Sequence, residues 1–118
     1  MNPGGTEPTH SKLVWKAEST HPELVEKLTE KLREVIDPEI GLNIIELGLV
    51  RDVEIKDKEV NLTMILTTPF CPYGPAMLET TRHKTEKALN LKTRIEMGME
   101  MWEPSMMEEG AGAEWGLF

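Results

Sequence analysis

Apolar and polar positions alternate with two different periods along this chain, and the switches between them outline the elements. Leu24, Val25, Leu28, Leu32 and Val35 recur at the helical spacing, with Glu26, Lys27, Glu30, Lys31 and Glu34 between them. An amphipathic helix with one buried face is the arrangement that satisfies this pattern. Thr20-His21-Pro22-Glu23 precedes it and reads as a threonine cap with Glu23 at the reciprocal position. Asp37-Pro38 closes it, because the residue before proline is pushed out of helical dihedrals. Asn43 to Gly48 is predicted to form a helical turn. The period then falls to two. Val53 and Ile55 alternate with Asp52, Glu54 and Lys56; after a turn at Asp57-Lys58, Val60, Leu62, Met64 and Leu66 alternate with Asn61, Thr63 and Thr67. These are the marks of an antiparallel hairpin with one wet face.

Thr67 to Pro75 holds three prolines and a glycine and must be a loop leading out of the second strand. A second helix is predicted over about 76–90, with Met77, Leu78, Thr81, Thr85, Ala88 and Leu89 on one face and Asn90 as its stop. Ile95, Met97, Met99 and Met101 alternate with polar or small residues and predict a third strand with those side chains in the core. The order helix, strand, strand, helix, strand gives an α+β two-layer sandwich, in which two helices cover one face of a small mixed three-stranded sheet. Residues 1–19 read as a flexible or docked N-terminal tail. Residues 20–118 form a single domain whose C-terminal segment is irregular from about residue 103.

A chain of 118 residues has room for one core. Thirteen Lys plus Arg against 21 Asp plus Glu give a net charge of −8, which argues against a nucleic-acid partner. Six glutamates and no Lys or Arg lie between Ile95 and Phe118. That concentration, with Trp102, Trp115 and Phe118 as apolar anchors, suits either a partner surface or a segment that caps the core. Apolar runs are far shorter than the roughly 20 residues of a membrane span, and Met1 to Gly5 lacks a signal pattern. A cytoplasmic protein that does not enter membranes is expected. There its one cysteine, Cys71, stays a thiol.

Cys71 stands in the proline-flanked loop just ahead of a helix, where backbone N–H groups and the helix dipole favour thiolate, the form that attacks electrophiles and binds soft metals. The competing reading is a small buried hydrophobe. Asp37 and Glu39 place two carboxylates one residue apart in a tight turn, suited either to acid-base or ligand work or simply to helix termination. There is no Cys-x-x-Cys and no His-Glu-x-x-His, and His10, His21 and His83 are not spaced as ligands. Met97, Met99 and Met101 match a copper(I) thioether set, but strand periodicity assigns them to the core.

Three ordered motifs then stand out: Asp37-Pro38-Glu39-Ile40-Gly41; Asn43-Ile44-Ile45-Glu46-Leu47-Gly48-Leu49-Val50 with Asp52-Val53; and Thr67-Thr68-Pro69-Phe70-Cys71-Pro72. Together they resemble the metal-sulfur cluster biosynthesis family, which includes the bacterial SufT and PaaD proteins and the eukaryotic cytosolic iron-sulfur assembly factor. The resemblance runs over about residues 22–118 and takes in Trp102-Glu103-Pro104, Met106 to Glu109 and the closing Gly116-Leu117-Phe118. It implies the same α+β fold and a site grouping Asp37, Glu39, Ile40, Thr67, Thr68 and Cys71.

The function implied is non-enzymatic: a scaffold, carrier or adaptor for iron-sulfur cluster delivery, with apo-iron-sulfur proteins and cluster-carrier proteins as partners. No cofactor is expected to be stably held. Cys71 would contact iron or an iron-sulfur cluster transiently. One thiolate per chain is three short of the usual four, so a cluster on this protein alone calls for a homodimer with oxygen ligands from Asp37 or Glu39. Two other readings compete. One is a thiol enzyme with Cys71 as nucleophile and Asp37 or Glu39 moving protons, although no histidine base lies near the cysteine in sequence. The other is a PaaD-like accessory protein of a multicomponent oxygenase, against which the lack of a second cysteine counts.

Overall fold

The computed structural model describes residues 14–68 and 72–108. In chain order the elements are α1 (Ala17–Thr20), α2 (Pro22–Leu32), α3 (Ile44–Leu47), β1 (Val50–Lys56), β2 (Glu59–Met64), α4 (Gly74–Leu89), β3 (Lys92–Met97) and a 3₁₀ turn (Pro104–Met106). The sheet order is β1-β2-β3. β1 and β2 are antiparallel, and Asp57 and Lys58 between them both take positive φ (54° and 64°), as a tight two-residue hairpin turn requires. β2 and β3 are parallel, joined through α4. The expected α+β architecture with a mixed three-stranded sheet is the one observed; the helical turn expected over Asn43 to Gly48 is α3, and the one-turn helix α1 is added.

One sheet face carries Val53, Ile55, Val60, Leu62, Met64 and Thr93, all buried, and it shares a core with Leu28 and Leu32 of α2 and Met77 and Leu89 of α4. The other face is polar: Glu54 stands beside Asn61, and Asn61 beside Arg94. Thr81 and Thr85 are fully buried on the inner face of α4 because each hydroxyl donates to the carbonyl four residues back, Met77 at 2.7 Å and Thr81 at 2.8 Å. Asn90 ends α4 in the left-handed conformation, as expected of a stop residue. Glu86 accepts a hydrogen bond from the Thr93 backbone N–H at 3.0 Å, tying the end of α4 to the start of β3. That bond, with Arg82 nearby, holds the Glu86 carboxyl below the usual carboxylate range.

Two expectations change. Thr20 does not cap α2: it closes α1, and His21 takes the cap position without a side-chain bond. Of the two alternatives for the N-terminal tail, docking describes its last residues, since Trp15 and Ala17 are buried and the Trp15 indole N–H donates to the Val50 carbonyl at 3.2 Å. Met97, Met99 and Met101 are not core. They are 51, 98 and 77% exposed. The reason is that β3 ends at Met97, level with the end of β2 at Met64, so beyond it there is no ladder for the alternation to follow.

After Gly98 the chain runs back over α3. Arg51, at an irregularity in β1 that offsets it from the regular register, makes two hydrogen bonds to the Glu100 carboxylate (3.0 and 3.2 Å). Met107 is buried in the core, and Glu108 makes a two-pronged pair with Arg33 (2.9 and 2.7 Å). Trp102 is half-buried and donates its indole N–H to the Leu47 carbonyl at 2.7 Å, so this ring serves its own chain. Trp115 and Phe118 lie outside the described residues. Gly48 sits where this segment crosses, at φ 74°, and a Cβ there would collide with the Met106 carbonyl.

Gly48→Ala is therefore expected to lower stability by about 2–3 kcal/mol, from left-handed strain plus displacement of the crossing segment. Gly41 has φ 85° but open space around it, so Gly41→Ala is expected to cost only about 1 kcal/mol. Chemical denaturation of the two variants beside the parent checks the difference, and equal losses would show that the crossing contact is slack.

Candidate functional site

The site is built on the way the chain leaves α2. Helical bonding stops at Leu32, with Val35 buried and Ile36 forming an isolated bridge to Asn43, so the helix ends before the Asp37-Pro38 that was expected to stop it. Between the bridge partners the chain folds into a tight turn. Asp37 N–H donates to the Leu42 carbonyl at 2.9 Å, and the Asp37 carbonyl accepts from Gly41 N–H at 2.7 Å. Gly41 takes the positive φ that this closure needs.

The Asp37 side chain is 1% exposed and occupied on both oxygens. Oδ1 accepts from the backbone N–H of Glu39 at 2.9 Å and of Ile40 at 3.3 Å. Oδ2 accepts a longer bond, 3.4 Å, from the hydroxyl of Thr67. A buried carboxylate is tolerable only when hydrogen-bonded in this way. The result is a clasp: one side chain folds its own turn and holds the residue at which the chain leaves the hairpin toward Cys71. Thr67 is placed for this because Ile65 N–H donates to the Leu49 carbonyl at 2.9 Å, extending the hairpin's order past β2.

The six sequence candidates therefore divide. Asp37 and Thr67 are brought into contact. The two carboxylates part company, Asp37 being spent within the turn while Glu39 is exposed. Ile40 is half-buried and packs against the core. Thr68 is half-buried next to Thr67. Cys71 lies outside the described residues; it immediately precedes Pro72, two residues ahead of the start of α4. Among the described residues no group of three or more His, Asp or Glu side chains is arranged to hold a metal.

Reading residues alone assigned no role to α3, although it frames the site. Its Asn43 and Glu46 form a reciprocal capping box, Asn43 Oδ1 accepting from Glu46 N–H at 2.8 Å and Glu46 Oε1 from Asn43 N–H at 3.0 Å. The signal was present as Asn-x-x-Glu ahead of an apolar pair. A charged groove between α2 and α4, lined by Lys27, Glu30, Lys31, Glu34, His83 and Lys87, shares no residue with the clasp.

Comparisons with known proteins place this geometry in context. Residues 26–97 match the model of the family described as iron-sulfur cluster assembly protein. A Porphyromonas gingivalis protein named Fe-S protein maturation auxiliary factor is 38% identical over 95 residues, which cover 78% of this chain and 90% of that protein. A Synechocystis iron-sulfur cluster carrier protein is 44% identical over 48 residues, 41% of this chain but only 14% of the carrier's length. In fold, the crystal structure of a domain of unknown function, DUF59, from Bacillus anthracis superposes with a TM-score of 0.74 at 24% identity, covering 85% of this chain and 98% of that one. With its family model matched over most of the chain and a relative aligned along nearly its whole length, this chain belongs to the iron-sulfur cluster assembly protein family.

Proposed function

We propose that the chain is a non-enzymatic factor in iron-sulfur protein maturation, a carrier or adaptor whose Cys71 contacts iron or a cluster transiently. The observation that supports this best is the clasp. Asp37 fastens the acidic turn to Thr67, and Thr67 is four residues ahead of Cys71. The loop that carries the thiol thus springs from a fixed point, with the exposed Glu39 in the turn fastened to it. A soft thiolate with harder oxygen donors nearby suits weak, reversible capture, which is what delivery requires.

Apo-iron-sulfur proteins and cluster carriers are the partners this reading calls for. The match to a short part of a Synechocystis carrier supports the second, since a domain of this kind occurs built into a larger carrier there. No helix among the described residues is long and apolar enough to cross a membrane. A reducing cytoplasm, which keeps a lone thiol free, is the compartment in which the proposed chemistry works. A cluster on this protein alone is shared between two chains, because each supplies one thiolate.

Anaerobic incubation with iron and sulfide, followed by absorption spectroscopy and gel filtration, tests the proposal. Visible charge-transfer absorption is expected in a dimeric fraction at less than one cluster per chain, and is lost in Cys71→Ala. Maturation of a client apo-protein is expected to fall in the same variant while its thermal stability holds. Clusters and maturation that persist without the thiol would overturn the role given to Cys71.

The clasp has its own test. Asp37→Ala strands two backbone N–H groups and a hydroxyl, and is expected to cost about 1–3 kcal/mol and to speed amide exchange at Glu39 and Ile40. Asp37→Asn keeps an acceptor and is expected to retain most of that stability. If both variants matched the parent in exchange rates, the carboxylate would not be what holds the turn.

A further inference from the structure

Three of the chain's eight methionines stand at alternate positions in solvent: Met97 at 51%, Met99 at 98% and Met101 at 77% exposure. Met64, Met77 and Met107, by contrast, are buried. Isolated exposed apolar residues are ordinary, but three large ones in five residues form a patch that calls for a reason. Packing does not supply it, since the strand ends at Met97.

The backbone around the three is held at both ends. On one side Gly98 N–H donates to the Met64 carbonyl at 2.9 Å, as a last rung of the β2–β3 ladder. On the other, Glu100 is paired with Arg51 and the Trp102 indole with the Leu47 carbonyl. Between these anchors the chain bends at Met99. Alternate residues of a straight strand are about 6.5–7 Å apart, and a bend at the middle residue brings the outer two closer than a straight strand would. Each methionine has three rotatable bonds and a polarisable thioether at its end.

We propose that Met97, Met99 and Met101 form a binding site for a monovalent soft metal ion, copper(I) or its analogue silver(I). Thioether sulfur is a soft, uncharged donor that selects copper(I) over magnesium, calcium and manganese. Three such donors within five residues of one anchored bend are enough for a three-coordinate shell without protons to displace, and since Met99 stands 98% exposed the shell closes by rotation of the flexible side chains around the ion. Affinity is therefore independent of pH across the range in which histidine and carboxylate sites weaken. The three residues leave the same end of the sheet as Thr67, since Met97 pairs with Met64, and their thioether chemistry does not depend on the function proposed for Cys71.

The test uses the full chain carrying Cys71→Ala, so that the thiol does not compete, with its methionine methyls labelled for NMR. Added silver(I) is expected to shift the methyl resonances of Met97, Met99 and Met101 and to saturate at one ion per chain, leaving the buried Met77 and Met107 unmoved. Competition against a copper(I) chelator is expected to give the same affinity at about pH 5.5 and pH 7.5. Met99→Leu, which keeps the apolar surface and removes the sulfur, is expected to weaken binding by about tenfold or more. The triple leucine variant is expected to abolish it while the fold, checked by its remaining resonances, persists. Absence of these shifts, or silver binding retained by the triple variant, would overturn the site and leave the patch as an apolar contact surface.

Discussion

The structure turns on a helix too short to support itself. α3 has four residues, so its own bonding reaches only as far as Leu47 N–H on the Asn43 carbonyl and the Gly48 and Leu49 N–H groups on Ile44 and Ile45, and its remaining backbone groups are terminal. Its N-terminal side is satisfied by the Asn43–Glu46 capping box. On the C-terminal side three successive carbonyls take donors from three different places. Glu46 accepts from Glu108 N–H at 2.7 Å, Leu47 from the Trp102 indole and Gly48 from the Arg51 guanidinium at 3.1 Å. Ile44 and Leu47 are fully buried beneath it. Remove any donor and a carbonyl close to the core loses its partner, which costs more than the bond was worth.

Because α3 stands between the acidic turn and the returning C-terminal segment, those two parts of the chain are mechanically joined. Asn43 caps the helix and also bridges to Ile36, and Leu42 holds Asp37 N–H. The Asp37 carboxylate carries the connection on to Thr67. A path of hydrogen bonds therefore links Glu108 to Thr67, running through backbone groups and through the side chains of Glu46, Asp37 and Thr67. Rigidity at the root of the loop after Thr67 is supplied by short polar connections near the surface, while the sheet and the two long helices supply the bulk of the buried apolar area.

Much of this was legible in the sequence, for identifiable reasons. The two long helices and the hairpin follow from periodicity that burial enforces, so Leu28, Leu32, Val60 and Leu62 fell where the pattern placed them. Asn90 and the Asp57-Lys58 turn were legible because special dihedrals favour few residue types. Thr20 misled because a capping sequence is a local signal, and the docking of Trp15 into the core, with Ala17 behind it, pulled the chain into a separate turn that used Thr20 otherwise. In the acidic turn the two carboxylates were legible but not their division of labour. Asp37 and Glu39 are near neighbours with the same charge, and only the fold decides which one turns inward to bond its own loop.

The methionines show where periodicity stops being evidence. Alternation reports burial only while a neighbouring strand fixes the pleat, since it is the ladder that keeps successive side chains on opposite faces of a sheet. β2 and β3 run together from Glu59 and Lys92 to Met64 and Met97, and Gly98 adds one last bond. Met99 and Met101 continue the sequence pattern for two further repeats with no strand paired to them among the described residues. Of the four alternating positions only Ile95 packs against the core, so packing against this sheet does not account for the apolar residues at 97, 99 and 101. What the fold does show is a backbone anchored on both sides, by Gly98 on Met64, Glu100 on Arg51 and Trp102 on Leu47, with three large apolar side chains left in solvent between and beside those anchors.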